Sequence, residues 1–375
     1  MTVVLSDAAA AAPRADISAA TLTASGETER MMPRLPLASV ALAALVLTVL
    51  AVAAWEVQMR RLGLRAEDSD DGVSHWAVER KALAAGPADG IALIGDSRQL
   101  FDSDLQVWED MTGRRPVQLA LPGTNAGPFL EDLANDEHFR GLAVLGFTEF
   151  TYFIPQARLL TKALDYTRTQ SPAQRFGHQV FLLISPWFAF LDAEYRMPTL
   201  LRRVQITDRP GVLGPYPFPW KLSESFAQRQ TVLWPRIVTD DRLREHARMV
   251  WGGLFRGEPL PERAIAPVIE ATRRSVQRIR ARGGEVLLLK PPSDGDVRQA
   301  ELRVMPRANV WDRLVRETGV IGIHWEDYAD MRGLEVPEWS HLTGASATRF
   351  TRAYVREAIA QLPWLKTHMA AWRTQ

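Results

Sequence analysis

Residues Ile91–Asp102 read IALIGDSRQLFD. A short apolar run passes directly into Gly95-Asp96-Ser97. Such a run, closed by a glycine, fits a strand covered on both faces, which is how strands of a parallel sheet read. In open parallel sheets ligands sit beyond the carboxyl ends of the strands, and Ser97 falls at such an end. A sharp strand-to-helix turn there would expose Ser97 and aim helix N-terminal N–H groups at an oxyanion. From this tripeptide alone, plain helix capping by Asp96 and Ser97 is the favoured reading. A serine hydroxyl does little chemistry without a proton acceptor beside it, so the reading turns on a partner elsewhere in the chain.

Four further runs share the pattern of the first: PVQLALPG (116–123), GLAVLGFTEF (141–150), GGEVLLLKPPSDG (283–295) and GVIGIHWEDY (319–328). Between them lie PFLEDLANDEHF (128–139) and APVIEATRRSVQRIRARG (266–283), with apolar residues at helical spacing. The second of these ends on basic residues and then Gly283-Gly284, a helix C-terminal signature. SATRFTRAYVREAIAQL (346–362) predicts a last helix. Strands alternating with helices predict a doubly wound three-layer α/β/α domain with a mainly parallel sheet.

The chain has 375 residues, is 46% hydrophobic and 24% charged, and carries a net charge of +1. Its length allows a sizeable core, and its charge makes no case for nucleic acid. It has no cysteine, which excludes a thiolate nucleophile, a cysteine-ligated zinc site and any disulfide.

From Leu35 to Trp55 no residue is charged. A helix of about 20 residues spans the roughly 30 Å hydrocarbon layer. The run is longer than a signal-peptide core of about 7–15 residues, so it reads as an uncleaved anchor over 34–55. Arg30 and Arg34 flank one side and Arg60, Arg61 and Arg65 the other. The flanking charges therefore do not set the orientation. Residues 1–33 read as a disordered tail, and 56–86 as a helical stalk interrupted by a solvated acidic turn, EDSDDG (67–72). Residues 87–375 form the folded domain. A Pro- and Trp-rich insertion at about 155–260 breaks the alternation, and its aromatics are expected to pack as core, with a cleft or membrane-surface role as the alternative.

The serine's partner is sought in VPEWSHLTGAS (336–346). His341 precedes the last helix, and Glu338 lies three positions ahead of it. A neutral imidazole there would take the Ser97 proton, with Glu338 holding its other nitrogen. Alone, a loop histidine reads more readily as a surface or structural residue, and it is the two motifs together that change that reading.

With Gly95-Asp96-Ser97, Gly123 in ALPGTNAG (120–127) and Glu338-Trp-Ser-His341, residues 88–365 resemble the SGNH (GDSL-type) hydrolase superfamily by block order. The resemblance implies Ser97 as nucleophile and oxyanion donor, Gly123 as a backbone donor, and His341 with Glu338 as the base pair. The family's Gly-x-Asn-Asp block appears here as Gly146-Phe-Thr148-Glu149. Thr148, or Asn125 two residues after Gly123, would then stand in for the missing asparagine. Loss of one oxyanion donor costs about 10²–10³ in rate.

Membrane-anchored members that add or remove acyl groups on cell-envelope polysaccharides suggest a serine esterase or O-acyltransferase. Its substrate would be an acyl ester or a carbohydrate. Its place would be the inner membrane, single-pass, with the large domain periplasmic. The alternative is a non-catalytic binding or scaffold protein in envelope polysaccharide assembly or export, with other envelope proteins as partners. Arg98 would greet an anionic substrate or pair with a structural acid such as Asp102 or Asp104. His324 lies near Glu326 and Asp327 without a third ligand, so no metal and no cofactor is expected.

Overall fold

Backbone pairing follows the apolar runs. The computed structural model describes residues 36–68, 70–153, 158–204, 216–254 and 258–372. Among them are β1 (Ile91–Ile94), β2 (Val117–Gln118), β3 (Leu142–Gly146), β4 (Ser223–Ser225), β5 (Thr231–Leu233), β6 (Glu285–Lys290) and β7 (Ile321–His324). Five of these form one parallel sheet in the order β2-β1-β3-β6-β7. The order reverses between β1 and β3, which makes their carboxyl ends the crevice of the sheet.

The period of two along each strand divides the core. Ala92, Ile94, Ala143, Leu145, Val286 and Leu288 join one apolar cluster, with residues of the Gly127–Asn135, Glu262–Ala281 and Trp311–Thr318 helices. Ile91, Leu93, Val144, Leu287, Leu289 and Ile323 join another, with residues of the Leu105–Thr112, Gly344–Gln361 and Pro363–Trp372 helices. This is the expected three-layer α/β/α arrangement, because strands apolar on both faces need a helical cover on each.

Among the described residues one helix, Leu37–Arg61, is long and apolar enough to cross a membrane, its most apolar 18-residue stretch having a mean hydropathy of 2.6. The chain divides into Met1–Ala53 and a folded unit, Ala54–Gln375. The tail expected at 1–33 lies outside the described residues.

The expected stalk belongs to the folded unit. Helix Val73–Ala85 buries Trp76, whose indole N–H donates to the Leu119 carbonyl at 2.8 Å. The acidic run is likewise no solvated turn. Asp68 is buried against Lys221, and Asp71 pairs with the fully buried Arg229, which also donates to the carbonyls of Gln118 and Ala120. The cations that recruit these acids lie some 150 residues downstream, beyond the reach of local patterning.

The insertion between β3 and the Glu262–Ala281 helix holds the Arg158–Thr169, Pro172–Ile184, Met197–Arg203 and Asp241–Leu254 helices and the antiparallel β4–β5 hairpin. Its aromatics divide: Trp234 is buried, but Trp187 is 72% exposed.

Candidate active site

Ser97 is the first residue of the short Ser97–Phe101 helix. Asp96 does the capping: its Oδ1 accepts the Arg98 N–H at 3.0 Å. That leaves the Ser97 hydroxyl available for other contacts. Two glycines permit the turn. A Cβ on Gly95 or on Gly146 would lie 2.6 or 2.5 Å from Gln99 Cβ, so the helix sits directly over the ends of β1 and β3.

His341 arrives from the loop before the Gly344–Gln361 helix. Its Nε2 lies 2.8 Å from Ser97 Oγ, and its Nδ1 lies 2.9 Å from Glu338 Oε1. Glu338 Oε1 also accepts the His341 backbone N–H at 2.5 Å. The second carboxylate oxygen, Oε2, accepts the indole N–H of Trp251. With Nδ1–H donated to a carboxylate, Nε2 is left as the acceptor for the serine proton. Glu338 and His341 are buried, while Ser97 is partly exposed.

The loop is held from several sides. Trp339 adopts φ +76°, a left-handed conformation that side chains rarely take, and this turn carries Glu338 back onto His341. Its carbonyl accepts the Asp294 N–H at 3.0 Å. The Arg248 guanidinium lies 4.8 Å from the Trp339 ring centre and donates to the Pro337 carbonyl at 2.6 and 3.0 Å. Asp102 Oδ1 accepts the Leu342 N–H at 2.9 Å. The Phe101 ring packs against the imidazole with centroids 4.5 Å apart. A cavity of about 230 Å³ opens beside Trp251, lined also by Asp296, Gln299 and Arg303.

One of the expected oxyanion donors, Thr148, is committed elsewhere. Gly123 adopts φ +62°, is exposed, and a Cβ there would meet nothing within 4 Å. Asn125 Oδ1 accepts the Gly127 N–H at 2.7 Å, which fixes the amide orientation. Thr148 is a correction. Its hydroxyl donates to Asp96 Oδ1 at 3.1 Å, and a hydroxyl has only one proton to give. Thr151 donates to the other oxygen of Asp96 at 2.8 Å.

For Arg98 the substrate-binding role is corrected, while the expected pairing with a structural acid holds with a different acid. It is 1% exposed and does not face substrate; nor does it pair with Asp102 or Asp104. Its Nη1 donates to Glu301 Oε1 at 2.6 Å. Glu301 further accepts from Ser293 at 2.6 Å and from Lys290 at 3.3 Å, and Lys290 donates to Glu149 at 2.6 Å. Burial works against charge on Glu301, but Arg98 and Lys290 outweigh it and bring its pKa down to about 2. For Glu149, burial and the nearby Glu301 push the pKa up, against Lys290. This buried network ties together the carboxyl ends of β1, β3 and β6 behind the serine.

His324 is buried, and its Nδ1 accepts the Glu326 N–H at 3.2 Å. Burial, with Lys290 and two arginines nearby, keeps the ring neutral by lowering its pKa to about 2. Among the described residues no group of His, Cys, Asp and Glu could hold a metal ion.

Trp251, Arg248, Glu301 and Lys290 were missed by sequence reasoning. The one available signal was Lys290 itself, a lysine ending the apolar run VLLL (286–289). Compared with known proteins, the chain matches no family model and no curated protein.

Proposed function

We propose that the protein is a membrane-anchored serine acyl-transfer enzyme, an esterase or O-acyltransferase of SGNH type. The observation that carries this reading is the run of contacts from Ser97 Oγ to His341 Nε2 and from His341 Nδ1 to Glu338. Hydrogen-bond reach from nucleophile to base, with the base oriented by a third group, is the geometry nucleophilic acyl transfer needs.

In this mechanism His341 Nε2 takes the Ser97 proton as Oγ attacks the ester carbonyl. The Ser97 and Gly123 N–H groups and the Asn125 carboxamide donate to the oxyanion. As the tetrahedral intermediate collapses, the C–O bond to the alcohol breaks and the imidazolium returns its proton to that alcohol, leaving Ser97 acylated. Water or a sugar hydroxyl then attacks the acyl-serine, with His341 again as base, and free Ser97 is regenerated. Glu338 stabilises the imidazolium throughout. The acyl esters of a cell-envelope polysaccharide are the proposed substrate class, which puts the Ala54–Gln375 unit on the periplasmic side of the inner membrane.

One observation favours a second reading, a non-catalytic binding or scaffold protein on the same fold. Thr148, which stands where the family places its asparagine donor, spends its proton on Asp96.

A fluorophosphonate probe separates the two. At about pH 8 the enzyme reading expects covalent labelling that disappears in Ser97→Ala and His341→Ala. A folded wild-type protein that takes up no label would leave the scaffold reading standing.

A further inference from the structure

The Pro172–Ile184 helix is amphipathic in an unusual sense, because its apolar stripe faces outward. Phe176 is 68% exposed, Leu183 73%, Ile184 45%, and Trp187, just past the helix, 72%. With the partly exposed Val180 they recur at the spacing 176, 180, 183, 184, 187, which is one face of a helix. The helix has no buried residue. Among the described residues nothing covers this stripe.

The occupant is indicated by what Trp187 is tied to. Glu56 is the first charged residue after the apolar run that begins at Leu35. A membrane crossed by that run must therefore end near Glu56, at the level of the headgroups. Within the folded unit, Glu56 accepts the N–H groups of Ala189 and Phe190 at 3.1 and 3.0 Å. Arg60 donates to the Trp187 carbonyl at 3.2 Å. Met59 packs in one apolar cluster with Ala189, Leu233 and Trp234. The exposed stripe thus begins at a residue hydrogen-bonded to the point where the helix leaves the bilayer. Arg60, Arg61 and Arg175 are exposed near its two ends and suit anionic headgroups.

We infer that the 176–187 face lies in the interfacial layer of the same membrane, as a second, in-plane attachment of the folded unit. Leu222 packs both against the Met59 cluster and against Leu100 and Phe101, and Phe101 touches the His341 ring. The attachment therefore holds the serine–histidine pair at a set place above the lipid surface.

The absence of cysteine makes the test direct. Phe176→Cys, Leu183→Cys, Arg352→Cys and Val46→Cys, each in the full chain, carry a nitroxide in vesicles of phosphatidylcholine and phosphatidylglycerol. The expected result is an oxygen-to-nickel-complex accessibility ratio several-fold higher at 176 and 183 than at the exposed position 352, approaching that at 46. Equal nickel accessibility at 176, 183 and 352 would overturn the inference while position 46 still reports lipid. Spin–spin broadening at 183 would overturn it in favour of a second copy of the chain. A water-exposed label at 46 would remove the membrane premise itself.

Discussion

The indole N–H of Trp251 donates to Glu338 Oε2, on the carboxylate whose other oxygen receives both N–H groups of His341. Trp251 belongs to the Asp241–Leu254 helix of the insertion, whereas Glu338 lies in the loop before the last long helix. The insertion is therefore part of the candidate site, because it supplies the third donor to a buried carboxylate that has no access to water.

Trp251→Phe keeps most of the ring and removes that donor. A buried acceptor left unsatisfied costs about 1–3 kcal/mol. The expected outcome is fluorophosphonate labelling of Ser97 slowed by about tenfold, equivalent to about 1.4 kcal/mol of barrier. Lower thermal stability with an unchanged labelling rate would make Trp251 a packing residue only.

Glu301 faces two buried cations, Arg98 and Lys290. Glu301→Ala leaves Arg98 without its carboxylate in a site that is 1% exposed. Breaking a buried pair in this way destabilises by about 3–5 kcal/mol. Chemical denaturation in detergent solution measures it, and a loss below about 1 kcal/mol, the scale of a surface pair, would contradict the network.

Gly146→Ala places a methyl group 2.5 Å from both Cβ and Oε1 of Gln99. Gln99 is the third residue of the helix that Ser97 begins, so relief of the clash must lift that helix off the sheet. Overpacking of this kind costs about 1–3 kcal/mol. Slower Ser97 labelling should accompany the lower melting temperature. A variant as stable and as reactive as wild type would show that the helix is not seated on β3.

Asp102 supplies a pH signature. Burial is the main cause that lifts its pKa to about 7, opposed by His341, the Leu342 N–H and Arg98, and reinforced by Glu338. An acid with a raised folded-state pKa binds its proton more tightly folded than unfolded, so this group favours folding at low pH. The contribution is complete below its unfolded value near 3.8 and is lost as pH rises towards 7. The slope it adds is at most about 1.4 kcal/mol per pH unit. Asp102→Asn should flatten stability against pH between roughly 4 and 7; an unaltered slope would mean that other groups, such as Asp68, carry it.

The sheet was legible in the chain because its central strands are buried on both faces, β1 and β3 along their whole length. A strand of this kind advertises itself locally as an unbroken apolar run, and all five runs became strands of one sheet. The apolar Leu35–Trp55 segment was legible for a similar reason, since length and hydropathy alone set what can cross a bilayer. The Gly-Asp-Ser turn and the Glu-x-x-His loop could be singled out as residue types in a plausible order.

Distance and partnership were another matter. Ser97 and His341 are 244 positions apart, and only the winding of the sheet brings their side chains to 2.8 Å. The acid that Arg98 meets could not be named from the sequence, because Glu301 lies 203 residues away. The acidic turn looked solvated because Lys221 and Arg229 arrive from the insertion. Hydropathy patterns report what one segment needs from its surroundings. Which charge meets which, and which oxygen a tryptophan finds, is decided by elements that meet only once the chain has closed on itself.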